Sequence, residues 1–574
     1  MPSDSAASVS VPASAVPRGP QALASLPAPQ KPPTRAERLA ALSSQAFDVL
    51  VIGGGVTGCG IARDAALRGL RVALVEREDF ASGTSSRSSR LVHGGVRYLE
   101  HGHLGLVFES SIERYRLLKL APHLVRPLAF VWPTYKGARL PRWKLAVGLK
   151  LYDALALFRN VRSSRALSVQ RVREEIPGLR SDGLTGGARY YDAATDDARL
   201  TLANALSASE AGATVLNHAA VRGLVIAEGR AQGATVVDVL TGQELSVRAR
   251  VIVSATGPWS DEIRKLDAQD NAPAVRGSKG VHIAVPRARL PTPDDTALTV
   301  LSGVDGRVMF ILPAEHHTII GTTETTTHAH PSEVRASVSD VDYLLASANG
   351  FFPDAKLVRD DVVSAWAGIR PLVASAYGAG GANSASREHA IHASPSGVLA
   401  ISGGKLTTYR VMASDMVNAV EKALGTPHHK ALTGSLPLPG GEFSSFDAEV
   451  ASARAEVGRE DVARHLVRAY GRRWRLVWEL TRERPELAEP LAPGLPYVRA
   501  ESLYGVSHEF VHTLDDLLVR RLKVAFETRD LGRAAARLAA SDVASALGWT
   551  PEDIARQLAD YERHVTRLFG IDPA

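Results

Sequence analysis

The stretch FDVLVIGGGVTGCGIARDAALRGLRVALVE, from Phe47 to Glu76, decides the fold. It predicts an apolar strand, a glycine turn, a helix and a second strand that ends in an acid. Gly53, Gly55 and Gly58 keep the G-x-G-x-x-G spacing of dinucleotide-binding folds. In that motif the first glycine makes the tight turn, the second admits a pyrophosphate, and the third lets the helix pack on the strand. The helix that follows directs its N–H groups at the phosphates.

The acid that closes the second strand narrows the choice of nucleotide. Glu76 is expected to hydrogen-bond a ribose hydroxyl, which favours FAD or NAD over NADP, because a carboxylate repels the extra phosphate of NADP. Two later stretches, ARVIVSATGPW at 249–259 and GVLAISGGKLTTY at 397–409, again read as a strand followed by a small-residue turn. The sequence therefore predicts an α/β fold with a discontinuous Rossmann-like nucleotide domain, made of residues 46–110, 190–275 and 390–430.

Three further regions complete the predicted organisation. Strand-like runs at 308–313 and 318–321 predict that residues 111–189 and 276–389 form a substrate domain with an antiparallel sheet. After the linker SLPLPGG at 435–441, helical patterns at 447–456, 461–470 and 536–547 predict a C-terminal helical domain over 440–574. Residues 1–45 are rich in Ala and Pro and are predicted to be a disordered tail.

Composition restricts the classes of partner and cofactor. With 574 residues, 45% hydrophobic and 22% charged, the chain is typical of a soluble enzyme of two or three domains. Its formal net charge of +6 favours anionic partners, such as a phosphorylated substrate or an acidic membrane surface, and no nucleic-acid-binding motif accompanies it. The single cysteine, Cys59, excludes intramolecular disulfides and cysteine-based metal sites, and no metal site is expected. No apolar run reaches 18 residues, so no transmembrane helix is expected.

The segment FASGTSSRSSRLVHGGVRYLE, at 80–100, is predicted to carry chemistry. Its hydroxyl side chains are expected beside the pyrophosphate. Within its second half, His93, Arg97 and Tyr98 supply a titratable ring, a permanent cation and a phenol.

These motifs resemble those of the FAD-dependent glycerol-3-phosphate dehydrogenases, the quinone-linked, membrane-peripheral respiratory enzymes. The resemblance extends from about Phe47 to Arg521. It rests on the stretches quoted above at 47–76 and 80–100. Its further motifs are YYDAATDDARL, ATGPW, SKGVHI, IIGTTE, GIRPL, GGKLTTYR and HTLDDLLVRR. In YYDAATDDARL we assign only Asp197 and Arg199, as candidates for structural pairing.

The resemblance implies where FAD binds. Gly53, Gly55, Gly58 and Glu76 would hold its ADP half, and Thr256 and Gly257 would lie at a strand end on the nucleotide side. The predicted contacts to pyrophosphate and ribityl groups are Ser85, Ser86 and Ser88. The segment expected to place a helix N-terminus at the flavin pyrimidine edge consists of Gly403, Gly404, Lys405, Leu406, Thr407 and Thr408.

The resemblance also implies the reaction, which is oxidation of sn-glycerol 3-phosphate to dihydroxyacetone phosphate by hydride transfer to FAD, with electrons passed to a membrane quinone. The alternative is a glycerol-3-phosphate oxidase that makes hydrogen peroxide, since the two share nearly all motifs. A dianionic ester needs cations in its binding site. The arginines and the lysine implied for this site supply them, which disfavours both an amine or amino-acid oxidase and a flavoprotein without enzymatic activity. His93 and His282 are both candidates for the base, and the sequence does not choose between them. The implied active-site residues are His93, Arg97, Tyr98, His282, Arg370, Arg387 and Lys405.

Location and assembly are predicted less directly. Without a cysteine-rich region or an EF-hand loop, the chain fits the single-subunit aerobic bacterial type, cytoplasmic and peripherally bound to the inner face of the cell membrane. Residues 136–165 contain eight Lys or Arg and one acid, interleaved with apolar residues. They predict either an amphipathic helix on anionic lipid or a buried helix with solvated basic ends. The sequence does not decide the oligomeric state, and a homodimer is compatible with it.

Overall fold

A computed structural model of the chain describes residues 31–99, 102–157, 159–267, 275–373 and 388–573, with the backbone alone at positions 97, 98, 275, 276, 372 and 373. The strands are β1 (Ala46–Ile52), β2 (Val72–Val75), β3 (Leu91–Val92), β4 (Val125–Tyr135), β5 (Arg165–Leu167), β6 (Leu184–Thr195), β7 (Thr214–Leu216), β8 (Ala219–Ala227), β9 (Arg230–Asp238), β10 (Glu244–Ser254), β11 (Val275–Pro286), β12 (Thr296–Leu301), β13 (Val308–Ala314), β14 (His317–Gly321), β15 (Thr325–Thr327), β16 (Ala336–Ser337), β17 (Ser364–Val373), β18 (His389–Ala393), β19 (Leu399–Gly403) and β20 (Ile571–Asp572). The helices are α1 (Arg35–Ser44), α2 (Val56–Leu67), α3 (Leu104–Leu120), α4 (Arg142–Leu155), α5 (Val169–Glu175), α6 (Asp197–Glu210), α7 (Ser260–Asp267), α8 (Val338–Phe351), α9 (Tyr409–Leu424), α10 (Phe446–Val457), α11 (Glu460–Tyr470), α12 (Trp474–Glu483), α13 (Ala500–His508), α14 (Val524–Glu527), α15 (Arg533–Leu547) and α16 (Pro551–Phe569).

The first sheet is built around β1, whose apolar run is covered on both faces. Val49 and Val51 pack into one hydrophobic core and Leu50 and Ile52 into another, which explains why the strand does not alternate with polar residues. The strand order is β18-β19-β10-β1-β2-β7, with β9 and β8 added at β10. β1 pairs in parallel with β10 and β2, and β10 with β19. The carboxyl ends of these strands therefore meet at one edge, as predicted for a Rossmann-like fold.

The second sheet has the order β15-β11-β14-β13-β12-β4-β6-β3, with β17 beside β11 and β5 beside β6. Its pairs are antiparallel except for β12 with β4, so the predicted antiparallel sheet, including strands at 308–313 and 318–321, is present. The predicted boundaries of the two domains are wrong at two places. β3 lies in this sheet although residues 46–110 were assigned to the nucleotide domain, and β6 continues to Thr195 past the boundary at 189/190. The physical reason is that β6 pairs with β4 along its whole length.

The C-terminal region is helical, and the predicted helices at 447–456, 461–470 and 536–547 correspond to α10, α11 and α15. Buried ion pairs connect it to the nucleotide domain. Arg199 binds Glu509 at 2.6 Å, which confirms its predicted pairing, and Asp79 binds Arg520 at 2.5 Å and Arg521 at 2.6 Å. Asp197 accepts hydrogen bonds from the backbone N–H and hydroxyl of Ser88.

The prediction of disorder for residues 1–45 is wrong for the last part of this segment, because helix α1 occupies residues 35–44. Thr34 and Glu37 form a reciprocal capping box at its start, and Leu42 is fully buried. Arg35 pairs with Asp238 at 2.5 Å, which fastens the helix to the sheet. Residues 1–30 lie outside the described part of the chain.

Helix α4 lies within residues 136–165, for which the sequence left two alternatives open. Its inner face, including Leu149 and Tyr152, is buried, whereas Trp143, Val147 and Leu151 are 66%, 64% and 46% exposed. The helix is therefore amphipathic with an apolar outer stripe, since these three residues are four apart. Within the described residues, no helix has the length and apolar character needed to cross a bilayer.

Candidate active site

A cavity of about 340 Å³ lies where the carboxyl ends of the first sheet face the second sheet. Its walls bring together residues that are more than 300 positions apart in sequence. From the predicted FAD contacts, the lining includes Gly53, Gly55, Glu76, Ser85, Ser88, Thr256, Gly257, Gly403, Gly404, Lys405 and Leu406. From the predicted active-site residues, it includes His93, His282, Arg370 and Lys405.

Four predicted FAD contacts stand behind the lining and not in it. A Cβ at Gly58 would overlap the carbonyl of Gly53, so this glycine serves helix packing, as the motif requires. Ser86 is buried against the carbonyl of Gly83, and Thr408 is buried at the start of α9. Thr407 uses its hydroxyl to bind both the N–H and the carbonyl of His93, and so fixes the backbone of this predicted active-site residue.

The glycine turn after β1 has the geometry that the motif predicts. Gly53 has φ +108°, and a Cβ there would lie 2.7 Å from the carbonyl oxygen of Ala255. The N-terminus of α2 follows, where the hydroxyl of Ser85 accepts a hydrogen bond from the Val56 N–H at 3.0 Å. Ser85 therefore caps the helix whose first turn faces the cavity.

Glu76 makes two backbone contacts that the sequence did not predict. Its two carboxylate oxygens accept hydrogen bonds from the Gly54 N–H at 2.6 Å and the Glu78 N–H at 2.9 Å. Burial raises the pKa of this carboxyl, with the two N–H groups opposing the shift. The side chain thus clamps the glycine turn to the second strand while it lines the cavity.

The opposite end of the cavity is formed by the segment after β19. Gly403 and Gly404 have φ +76° and +79°, a left-handed pair that side chains other than glycine rarely adopt. Lys405 follows, with its ammonium 3.3 Å from the Ser110 hydroxyl, and a short 3₁₀ turn leads into α9. The glycine pair and the first residue of the 3₁₀ turn, Leu406, therefore line the cavity.

His282, on β11, is held in a fixed and neutral state. Its Nε2 lies 2.9 Å from the hydroxyl of Ser89, and its ring stacks on Trp366 with centroids 5.5 Å apart. Burial, with contributions from Arg370 and Arg90, lowers the pKa of His282 to about 3. The imidazole is therefore uncharged at neutral pH.

A second cavity of about 110 Å³ opens from the first. The two share Ser89, Leu91, His93 and Arg370, so these residues stand at the junction. The guanidinium of Arg370 lies 3.3 Å from the Thr322 hydroxyl. A charged group at the junction can contact a molecule that extends from one cavity into the other.

Sequence analysis missed Asp192, which lines the second cavity within the part of YYDAATDDARL left without a role. Its Oδ1 accepts hydrogen bonds from the Gly94 N–H at 3.0 Å and the Tyr152 hydroxyl at 2.7 Å, and it pairs with Arg114. It therefore fixes the backbone next to His93. The sequence signal that could have indicated this residue is an acid inside a strand made mostly of apolar, small and aromatic residues.

Arg387 lies outside the described residues, and Arg97 and Tyr98 are described by backbone alone, in a 3₁₀ turn at Val96–Leu99.

The glycine turn, the acid after β2 and a cavity between a parallel and an antiparallel sheet are features of a dinucleotide-dependent oxidoreductase. The sequence model described as FAD dependent oxidoreductase matches residues 48–410. A second, described as the C-terminal domain of alpha-glycerophosphate oxidase, matches residues 431–554.

The relatives narrow the class. Glycerol-3-phosphate dehydrogenase of Mycobacterium leprae is 40% identical over 544 residues, covering 93% of this chain and 90% of its own. The human mitochondrial glycerol-3-phosphate dehydrogenase is 40% identical over 523 residues, covering 87% of this chain and 70% of its own. The crystal structure of the Bacillus halodurans enzyme complexed with FAD is 34% identical with a TM-score of 0.77, covering 93% of this chain and 97% of that one. The chain belongs to the family of FAD-dependent glycerol-3-phosphate dehydrogenases, which confirms the resemblance, the enzyme class and FAD as cofactor.

Proposed function

We propose that this enzyme oxidises sn-glycerol 3-phosphate to dihydroxyacetone phosphate and passes the electrons to a quinone in the cell membrane. FAD, when bound, accepts the hydride from C2 of the substrate. The observation that carries the proposal is the junction of the two cavities, where a histidine and an arginine converge beside the predicted flavin end of the large cavity. The protein's task is to hold the ester there and to take up the hydroxyl proton.

Arg370 is suited to the anionic substrate because a guanidinium presents several donors in one plane, which matches phosphate oxygens. Its position in the lining of both cavities lets it contact a substrate that spans them. Lys405 adds a second cation on the side of the larger cavity. Two cations in the lining of the larger cavity favour a phosphate ester over a zwitterionic amino acid.

His93 is the better candidate for the base. A general base works best when its pKa is close to the working pH. The pKa of about 3 leaves His282 too weak to hold a proton at neutral pH, although its Nε2 can accept a hydrogen bond from Ser89. His93 lines both cavities, and its backbone is fixed by Thr407, so we assign the proton to His93 and a positioning role to His282.

The surface beside this site supports contact with a membrane. On α3, which contacts α4, Leu104 and Phe108 are also exposed. Arg142, Lys144 and Lys150 on α4 reach solvent and complement anionic lipid headgroups. Both helices contact the 3₁₀ turn that follows His93. We therefore propose that the enzyme binds the cytoplasmic face of the membrane through α3 and α4, peripherally, where a quinone is within reach.

An oxidase that reduces oxygen to hydrogen peroxide is the second candidate, favoured by the match of residues 431–554 to the oxidase C-terminal domain. One experiment tests both functions. Holoenzyme is mixed anaerobically with glycerol 3-phosphate, and bleaching of the flavin absorbance is followed. The reduced enzyme is then exposed either to a quinone analogue or to oxygen.

Fast reoxidation by the quinone, with little peroxide, is the expected result. Fast reoxidation by oxygen with one peroxide per flavin would favour the oxidase. A flavin that glycerol 3-phosphate fails to bleach would refute both.

A further inference from the structure

The smaller cavity contains a cation that the sequence analysis did not single out. Arg307, which immediately precedes β13, lines this cavity but not the larger one, whereas Arg370 lines both. The side chain of Arg307 is 44% exposed. The two arginines therefore lie at opposite ends of the smaller cavity. Arg370 stands at the junction with the larger cavity, and Arg307 stands at the end that faces solvent.

Neighbouring groups hold the Arg307 guanidinium in place. Its Nε lies 3.2 Å from a carboxylate oxygen of Asp305, and its Nη1 donates to the carbonyl of Glu324 at 2.5 Å. Asp305 is itself fixed by the hydroxyl of Tyr343 at 2.9 Å. Within the part of the chain that the structure describes, Nη2 makes no hydrogen bond. A guanidinium fixed on one side loses little entropy when a ligand binds the other.

The proposed reaction sets the direction in which the substrate lies. Its reacting carbon must face the larger cavity, and the phosphate at the end of the three-carbon chain must then extend into the smaller one. The walls there also include two acids: Asp192, whose charge is matched by Arg114, and Glu324, whose backbone carbonyl accepts the hydrogen bond from Arg307. A dianion in this cavity is stabilised by a cation at each end more than by Arg370 alone.

Resting on the proposed function, we propose that Arg307 is a specificity-determining residue that binds the phosphate of glycerol 3-phosphate at the outer end of the smaller cavity. It acts on ground-state binding, because it lies away from the junction where the hydride and proton leave. Its loss should therefore raise KM and leave kcat nearly unchanged.

The test compares holoenzyme carrying Arg307→Gln with the wild type. KM for glycerol 3-phosphate should rise about 10- to 100-fold, the loss expected for one charged hydrogen bond, while kcat changes less than about threefold. Calorimetric titration of the oxidised holoenzyme with inorganic phosphate should show weaker binding by a similar factor. Arg307→Lys should recover part of both losses, since it restores the charge without the fork. Arg335→Gln, at an arginine of similar exposure outside both cavities, should match the wild type.

The outcomes separate this inference from the function on which it rests. A wild-type flavin that glycerol 3-phosphate fails to reduce would overturn both. If the wild type is reduced normally but Arg307→Gln keeps its KM and its phosphate affinity, only the assignment to Arg307 is overturned. A fall in kcat at unchanged KM would also overturn it, because that pattern places Arg307 in the chemical step. The Arg307→Lys variant is the control for a folding defect. Partial recovery of KM and of phosphate affinity on restoring the charge shows that the losses in Arg307→Gln come from binding.

Discussion

Replacing Gly55 with valine separates cofactor binding from folding, because of where its side chain would point. A Cβ at Gly55 meets only the Ser85 hydroxyl, at 3.3 Å, and the backbone there has φ −72°, which any residue adopts. At Gly53 and Gly58 the same change would run into backbone carbonyls. Gly55 is thus the position of the three where a side chain enters the cavity without breaking the turn.

The magnitudes of the two effects differ widely. Displacing the Ser85 hydroxyl from the Val56 N–H removes one helix cap, which costs about 1 kcal/mol of folding free energy. In the cavity, the isopropyl group covers the N–H groups of Gly55 and Thr57 in the first turn of α2, both of which border the lining. Losing two hydrogen bonds to a charged pyrophosphate costs about 3–6 kcal/mol, or about 10²- to 10⁴-fold in FAD affinity.

The assay is the flavin absorbance of purified protein, followed by titration of apoprotein with FAD and by urea unfolding. Gly55→Val should emerge nearly colourless, with an unfolding midpoint of its apoprotein close to that of wild-type apoprotein. Gly350→Val is the control, since a Cβ at Gly350 of α8 meets open space far from the cavity. A Gly55→Val protein that binds FAD with wild-type affinity would refute the assignment of this turn to the pyrophosphate.

Three further predictions concern the base, acid stability and the membrane. His93→Gln should slow anaerobic flavin reduction about 10²- to 10⁴-fold, and a larger effect from His282→Gln would reverse their roles. With a folded pKa of about 3 and an unfolded value of 6.5, His282 stays neutral in the folded state while the unfolded chain takes up a proton, so stability falls as pH drops through 6.5. That loss is about 2 kcal/mol at pH 5, and His282→Gln should reduce by this amount the acid destabilisation measured by urea unfolding at pH 8 and pH 5. Val147→Glu should weaken sedimentation with anionic vesicles, whereas Val358→Glu, also on an exposed valine, should not; equal binding would exclude α4 as the contact.

The parts of the fold that the sequence predicted correctly are those that depend on residues close together in the chain. The glycine turn, the acid after β2 and the apolar strand depend on neighbours in the chain, and the helix at 461–470 shows a regular apolar period. The domain boundaries failed at β3 and β6, because strand pairing joins Leu91 to Ala194 across 103 positions and no local pattern records it. The helix α1 was missed because proline-rich residues precede it, although Thr34 and Glu37 supply a capping box.

The same limit applies to the active site. His282 and Arg370 lie within the motifs that carry the resemblance, which is why the sequence predicted them, and both line the larger cavity. Asp192 and Arg307 are ordinary acidic and basic residues in sequence, and their roles depend on which cavity they border. A buried acid such as Asp192 is satisfied only by donors from distant segments, among them Tyr152 and Arg114, which the sequence does not place beside it.

A buried ion cluster joins the C-terminal domain to the segment that borders the larger cavity. Asp79 lies three residues before a segment that borders the cavity at 82–85 and 87–89, and its carboxylate is held by Arg520 and Arg521. All three side chains are buried, so removing one leaves uncompensated charge at a cost of about 3–5 kcal/mol. Separating the C-terminal domain would expose this cluster and release the segment that caps α2 through Ser85. The helical domain therefore belongs to the structure of the cofactor site, although in the described residues it contributes no side chain to the lining of the larger cavity.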